Sequence, residues 1–114
     1  MENNKELDDG MKETAIRFLK NAEKFVTRNE DLTYTVQMPQ GIKDYIVKDL
    51  THREELNAKR LATADISEEH MWIVRSIVFP KDITTDKWLD LPAKVIKRLE
   101  YTKRYLDGDL DFLV

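Results

Sequence analysis

The run Met71-Trp72-Ile73-Val74-Arg75-Ser76-Ile77-Val78-Phe79 stops at Pro80, and this stop constrains the fold more than any other feature of the chain. The run is far short of the ~20 apolar residues that span a bilayer, so it has to be buried within a small core. Proline ends it by removing a backbone donor and by disfavouring the helical conformation in the residue before it. A second segment begins near Asp86-Lys87-Trp88-Leu89-Asp90-Leu91, crosses Pro92-Ala93, and continues as Lys94-Val95-Ile96-Lys97-Arg98-Leu99 to Gly108. Read as two helices, residues 66–106 hold both tryptophans and none of the residue clusters that catalysis needs. The pattern favours packing and partner binding.

A chain of 114 residues makes one domain and buries roughly 65% of its unfolded surface, enough for a core without staples. Cysteine is absent, which excludes disulfides, thiol nucleophiles and thiolate metal sites. The net charge of −3 argues against a generally basic nucleic-acid binder while leaving room for a local patch. The opening Met1-Glu2-Asn3-Asn4-Lys5-Glu6 is acidic and polar, unlike a signal peptide, and a cytoplasmic location is the simplest expectation.

Apolar residues at Leu7, Met11, Ala15, Phe18, Ala22 and Phe25, widened by Ile16, Leu19 and Val26, repeat at helical spacing and predict a helix over 5–28. The period then changes to two. Leu32, Tyr34, Val36 and Met38 alternate with polar residues as a half-buried strand, and Pro39-Gln40-Gly41 supplies a turn. Neither face of the following segment is clean, but a second strand there completes a hairpin over 32–48. Thr51-His52-Arg53-Glu54 fits a capping box. Asp65-Ile66-Ser67-Glu68-Glu69 reads as another helix cap with two carboxylates in the first turn, and Thr84 or Thr85 caps a third helix. The last helix starts at Pro92 as its first residue, its inner face is Val95, Leu99, Thr102 and Leu106, helped by Ile96, and Asp107-Gly108 ends it. We therefore expect an α+β fold, predominantly helical, as a single domain over 1–114. One β-hairpin packs against a bundle of four or five helices over 51–108, followed by an apolar-acidic tail over 109–114.

No catalytic, cofactor-binding or metal-ligating set stands out. His52 and His70 neighbour Glu54, Glu55, Glu68 and Glu69, but without metal-ligand spacing, and those glutamates sit where helix N-termini favour negative charge. Three glycines and no GxxxxGK or GxGxxG leave phosphate cradling without support. Charge is lopsided only in the last helix. There Lys94, Lys97, Arg98, Lys103 and Arg104 interleave with Tyr101 and Tyr105, a possible basic patch at Lys94, Lys97, Arg98 and Arg104 for a phosphate backbone or an acidic partner. The plainer reading is a solvated helix face whose lysine stems cover apolar surface. Candidate partner-binding residues are Met11, Phe18 and Phe25 on the first helix and Leu110, Phe112 and Leu113 in the tail. Methionine and phenylalanine adapt to irregular partners, and the tail either docks on its own domain or is offered to another.

The order of these elements is similar to that of the tail assembly chaperones of long-tailed bacteriophages and prophages. The residues that carry the resemblance are Tyr34-Thr35-Val36-Gln37-Met38-Pro39, Leu50-Thr51-His52-Arg53-Glu54-Glu55-Leu56, Ile77-Val78-Phe79-Pro80 and Leu91-Pro92-Ala93-Lys94-Val95, within 32–106. The resemblance implies a non-catalytic protein of the host cytoplasm that holds the tape measure protein during virion assembly. It also implies the tail tube protein as a second candidate partner, and self-association. Other expectations are a different phage or prophage structural or regulatory adaptor, or a small nucleic-acid-binding protein using the basic last helix.

Overall fold

The strand signal around Tyr34–Val36 sits in the middle of a sheet. A computed structural model describes residues 10, 13, 14, 16–18 and 20–108. Helix α1, whose described residues fall between 10 and 23, is followed by strands β1 (Val26–Arg28), β2 (Thr33–Val36) and β3 (Tyr45–Lys48). Helices α2 (His52–Leu61) and α3 (Glu68–Ser76), strand β4 (Ile77–Phe79), and helices α4 (Thr85–Leu89) and α5 (Ala93–Asp107) complete the order. The four strands form one antiparallel sheet in the order β1-β2-β3-β4, and about half of the described residues are helical, so the expected α+β class holds. The expected hairpin is the central β2–β3 pair, with one strand added on each side.

Both added strands come from segments expected to be helical. The helix expected over 5–28 ends at residue 23, closed by amide bonds from Lys24 and Phe25 to the Asn21 and Ala22 carbonyls. Val26 and Thr27 are β-branched, and pairing with Val36 and Thr35 gives their backbone groups partners while burying Val26. Leu32, expected in the strand, instead closes the β1–β2 turn at φ 70° and is 63% exposed. Within 51–108, the run expected to stay helical to Phe79 leaves the helix at Ile77, where a β-branched pair precedes the proline. Val78, expected to face the core, is exposed in consequence.

Cross-strand rows show which face of the sheet is inward. Val26, Val36 and Tyr45 form one row, and Tyr34, Val47 and Ile77 the next, all buried or half-buried. The intervening row of Thr27, Thr35, Ile46 and Phe79 lies on the other face. Val36, Tyr45 and Val47 join one core with Met38, Leu50, Ala58, Ile66, Met71, Trp72, Ile73, Trp88, Val95 and Leu99, and Tyr34 and Ile77 pack against it. Both tryptophans are buried, Trp72 on α3 and Trp88 on α4.

The helix starts follow the sequence signals. Thr51 and Glu54 form both bonds of the capping box, and Ser67 and Thr84 cap α3 and α4 through their hydroxyls. Pro92 stands at the cap position of α5, with Ala93 as its first residue, and Gly108 ends it in the left-handed conformation at φ 65°. Gly41 takes φ 89° in the Pro39–Ile42 turn, a conformation glycine adopts without a Cβ clash. No helix among the described residues is long and apolar enough to cross a membrane.

Candidate interaction face

Helix α5 places Lys94, Lys97, Arg98 and Tyr101 on one side because they recur at spacings of three and four. The adjoining side, Val95, Leu99 and Thr102, is buried, so the core fixes the direction in which this stripe points. The turn after β2 brings Pro39 alongside, and the turn after α1 brings Phe25. Together Phe25, Pro39, Lys94, Lys97, Arg98 and Tyr101 line an open groove of about 260 Å³.

Its floor is aromatic and held on several sides. The Tyr101 ring lies 4.2 Å from that of Phe18 and 5.4 Å from that of Phe25, centroid to centroid, and its hydroxyl donates to the Phe18 carbonyl at 3.3 Å. The Arg98 guanidinium sits 4.3 Å above the Phe25 ring and donates to the Gln37 carbonyl at 2.7 Å, tying α5 to the hairpin. Arg104 lies 5.4 Å from the Phe18 ring. Cations over ring faces at such distances gain about 0.5–1 kcal/mol when exposed.

Two sets of residues that the sequence separates are thus brought together: the aromatic candidates Phe18 and Phe25, and the basic candidates Lys94, Lys97, Arg98 and Arg104. Phe18 and Phe25 do not stand free as an apolar stripe. Both are half-buried against α5, because Tyr101 and the arginines offer them ring and cation partners. Lys94 and Lys97 are exposed and enter no ion pair among the described residues. Met11, Leu110, Phe112 and Leu113 lie outside the described residues. Gln37, Pro39 and the organising role of Tyr101 have no sequence signal, since they depend on where the hairpin lands on α5.

The other polar clusters are spread over the surface. His52 lines a larger hollow of about 450 Å³ on α2 with Arg53, Leu56, Asn57 and Arg60. His70 instead packs edge-on to Trp88 at 5.2 Å, with its Nε2 3.5 Å from a Glu100 oxygen. The two histidines therefore do not share a site, and no group of three or more His, Cys, Asp or Glu among the described residues is placed to hold a metal. Glu55, Lys59, Glu68, Glu69, Trp72 and Lys103 surround a smaller cleft, beside which the buried Trp72 Nε1 has no hydrogen-bond acceptor among the described residues. Shifted titrations lie elsewhere. Thr33 holds the Asp31 carboxyl low, the Thr51 amide and Lys48 hold Glu54 low, and burial raises the Tyr45 hydroxyl. No protein-family model, curated protein or solved structure matches the chain.

Proposed function

We propose that this chain is a non-catalytic binding protein of the phage tail assembly chaperone kind, acting in the host cytoplasm on a tape measure protein. The observation that carries the reading is the groove beside α5, where an aromatic floor of Phe25 and Tyr101 meets the exposed ammonium groups of Lys94 and Lys97. Such a surface suits an amphipathic segment. Rings accept apolar side chains of imperfect fit, while the lysines steer acidic ones and keep the face wet when empty. Exposed Ile16 on α1 and Leu89 at the end of α4 add apolar surface beyond the groove. The sequence patterns shared with the tail assembly chaperones over 32–106 supply the client: a long, helix-rich protein that has to be kept apart from its copies until a tube forms around it. The tail tube protein is a second candidate partner, and self-association belongs to the same reading.

The test is co-purification. The tagged chain, co-expressed with a tape measure protein from a phage or prophage carrying it, retains that protein through a salt wash. The Phe25→Ser, Lys97→Glu variant releases it. A client retained equally by both would move the binding face elsewhere, and no retention by either would remove the client assignment.

A further inference from the structure

We infer that the outward face of α2 is a second binding face, separate from the α5 groove, and that Arg53, Leu56 and Arg60 take an acidic amphipathic helix of another protein there. The inference stands on α2 alone and goes beyond the client proposed above.

Helix α2 is anchored on one side. Ala58 is 1% exposed in the core, and Leu56, two residues earlier and so about 200° around the helix, is 39% exposed on the far side. Arg53 and Arg60 stand three before and four after Leu56, which puts all three on the outward face with the arginines about 10.5 Å apart along the axis. His52 and Asn57 flank them, and these five residues line the hollow on α2. Neither guanidinium enters an ion pair or hydrogen bond among the described residues, although the chain holds 22 acids to 19 lysines and arginines. The acids of α2 itself are turned elsewhere: Glu54 takes Lys48, and Glu55 lines the cleft toward α3. A guanidinium grips a carboxylate with two parallel bonds, so two unpaired arginines around a leucine define their complement. That complement is a pair of carboxylates around an aliphatic side chain.

The same face of a second copy does not supply it. Antiparallel pairing about Leu56 and Asn57 sets Arg53 against the copy's Arg60, and parallel pairing sets each arginine against itself. A nucleic acid fits less well, because no Phe, Tyr or Trp lines the hollow for a base to stack on and a leucine occupies its centre. The arginine spacing also selects the occupant's conformation. An extended segment covers about 10.5 Å in about three residues, an odd step that turns its two acids to opposite sides. A helix covers it in about seven residues, two turns that return the second acid to the same side. An acid, a leucine and a second acid at helical spacing, run antiparallel to α2, therefore meet Arg60, Leu56 and Arg53 in turn.

The test measures binding of the full chain to a fluorescent synthetic helix of about 20 residues that carries this glutamate–leucine–glutamate pattern on one face. Expected is binding to the parent that weakens by at least about tenfold in the Arg53→Glu, Arg60→Glu chain, where like charges now meet. A peptide with lysine in place of the two glutamates binds that variant and not the parent. Leu56→Ser weakens binding as well, while the Lys94→Glu, Lys97→Glu chain binds as the parent does. Every substituted position is exposed, and unchanged circular dichroism verifies folding. Equal binding by parent and arginine variant, or no rescue by the charge swap, would overturn the inference. Loss confined to the Lys94→Glu, Lys97→Glu chain would do the same by seating the helix in the α5 groove. A peptide with serine for leucine that binds as tightly would reduce the face to charge alone. Single-stranded DNA that binds more tightly than the peptide, and is lost in the arginine variant, would give the face to nucleic acid instead.

Discussion

Tyr101 holds Phe18 twice: its ring lies 4.2 Å from the phenyl ring, and its hydroxyl donates to the Phe18 backbone carbonyl at 3.3 Å. The two residues are 83 positions apart, so this one side chain fastens the first helix to the last. Tyr101→Phe should cost about 0.5–1.5 kcal/mol, the usual net value of one hydrogen bond. Tyr101→Ala should cost more, since the ring pairs with Phe18 and Phe25 are lost as well. Amide exchange is the discriminating readout. It should accelerate at the α1 end around Ala22 and stay unchanged in α3, and equal acceleration in both would show that Tyr101 supports the whole core instead.

The two tryptophans should differ in what they tolerate. Trp88 is 3% exposed, and Trp88→Ala should cost ~3–5 kcal/mol by opening a cavity. Trp72 is similarly buried, but its indole N–H finds no acceptor among the described residues, a burial worth about 1–3 kcal/mol of penalty. Trp72→Phe removes that donor along with some volume, so its net loss should stay near 1 kcal/mol. Denaturant melts of the two variants check this. A Trp88→Ala chain as stable as the parent would contradict the assigned core.

Leu32 occupies the left-handed region at φ 70°, which costs a residue with a Cβ roughly 1–2 kcal/mol, and its side chain is 63% exposed. Leu32→Asn should therefore raise stability by about 1 kcal/mol, because asparagine visits this conformation more readily. Thermal unfolding measures it. A lower midpoint would mean that the β1–β2 turn is not formed as described.

Acid should expose the α2 cap. The Glu54 carboxyl accepts from the Thr51 amide at 3.1 Å and from the Lys48 ammonium at 3.0 Å, and both contacts hold its pKa below the usual 4.5. A depressed carboxylate pKa contributes stability that is present above the unfolded value and lost as pH falls through the folded one. Glu54→Ala should destabilise the protein at pH 7, and the gap from the parent should close as the pH is lowered below 4.5. A gap that persists unchanged at pH 2 would assign the effect to helix propensity instead of the charge.

How far these features can be read from the sequence depends on how local they are. The caps at Thr51 and Gly108 and the inward stripe of α5 are set by neighbours within a few positions, and each stands where the pattern places it, while the cap expected within residues 65–69 falls on Ser67. Val26-Thr27 and Ile77-Val78 continue the helical patterns before them, and only pairing with β2 and β3 makes them strands. Leu32 alternates correctly for a strand, yet turn geometry takes it. The candidate face shows the same division. Its cations and rings are visible in the sequence as separate patches, whereas their meeting around Tyr101 and Pro39 is a tertiary fact.

The central proposal, that this chain keeps a tape measure protein in solution, is tested most directly by the soluble fraction of that protein after high-speed centrifugation of lysates. It should move from the pellet to the supernatant when the chain is co-expressed, and return to the pellet with the Phe25→Ser, Lys97→Glu variant. A tape measure protein that pellets to the same extent with the chain, with the variant and with neither would contradict the account.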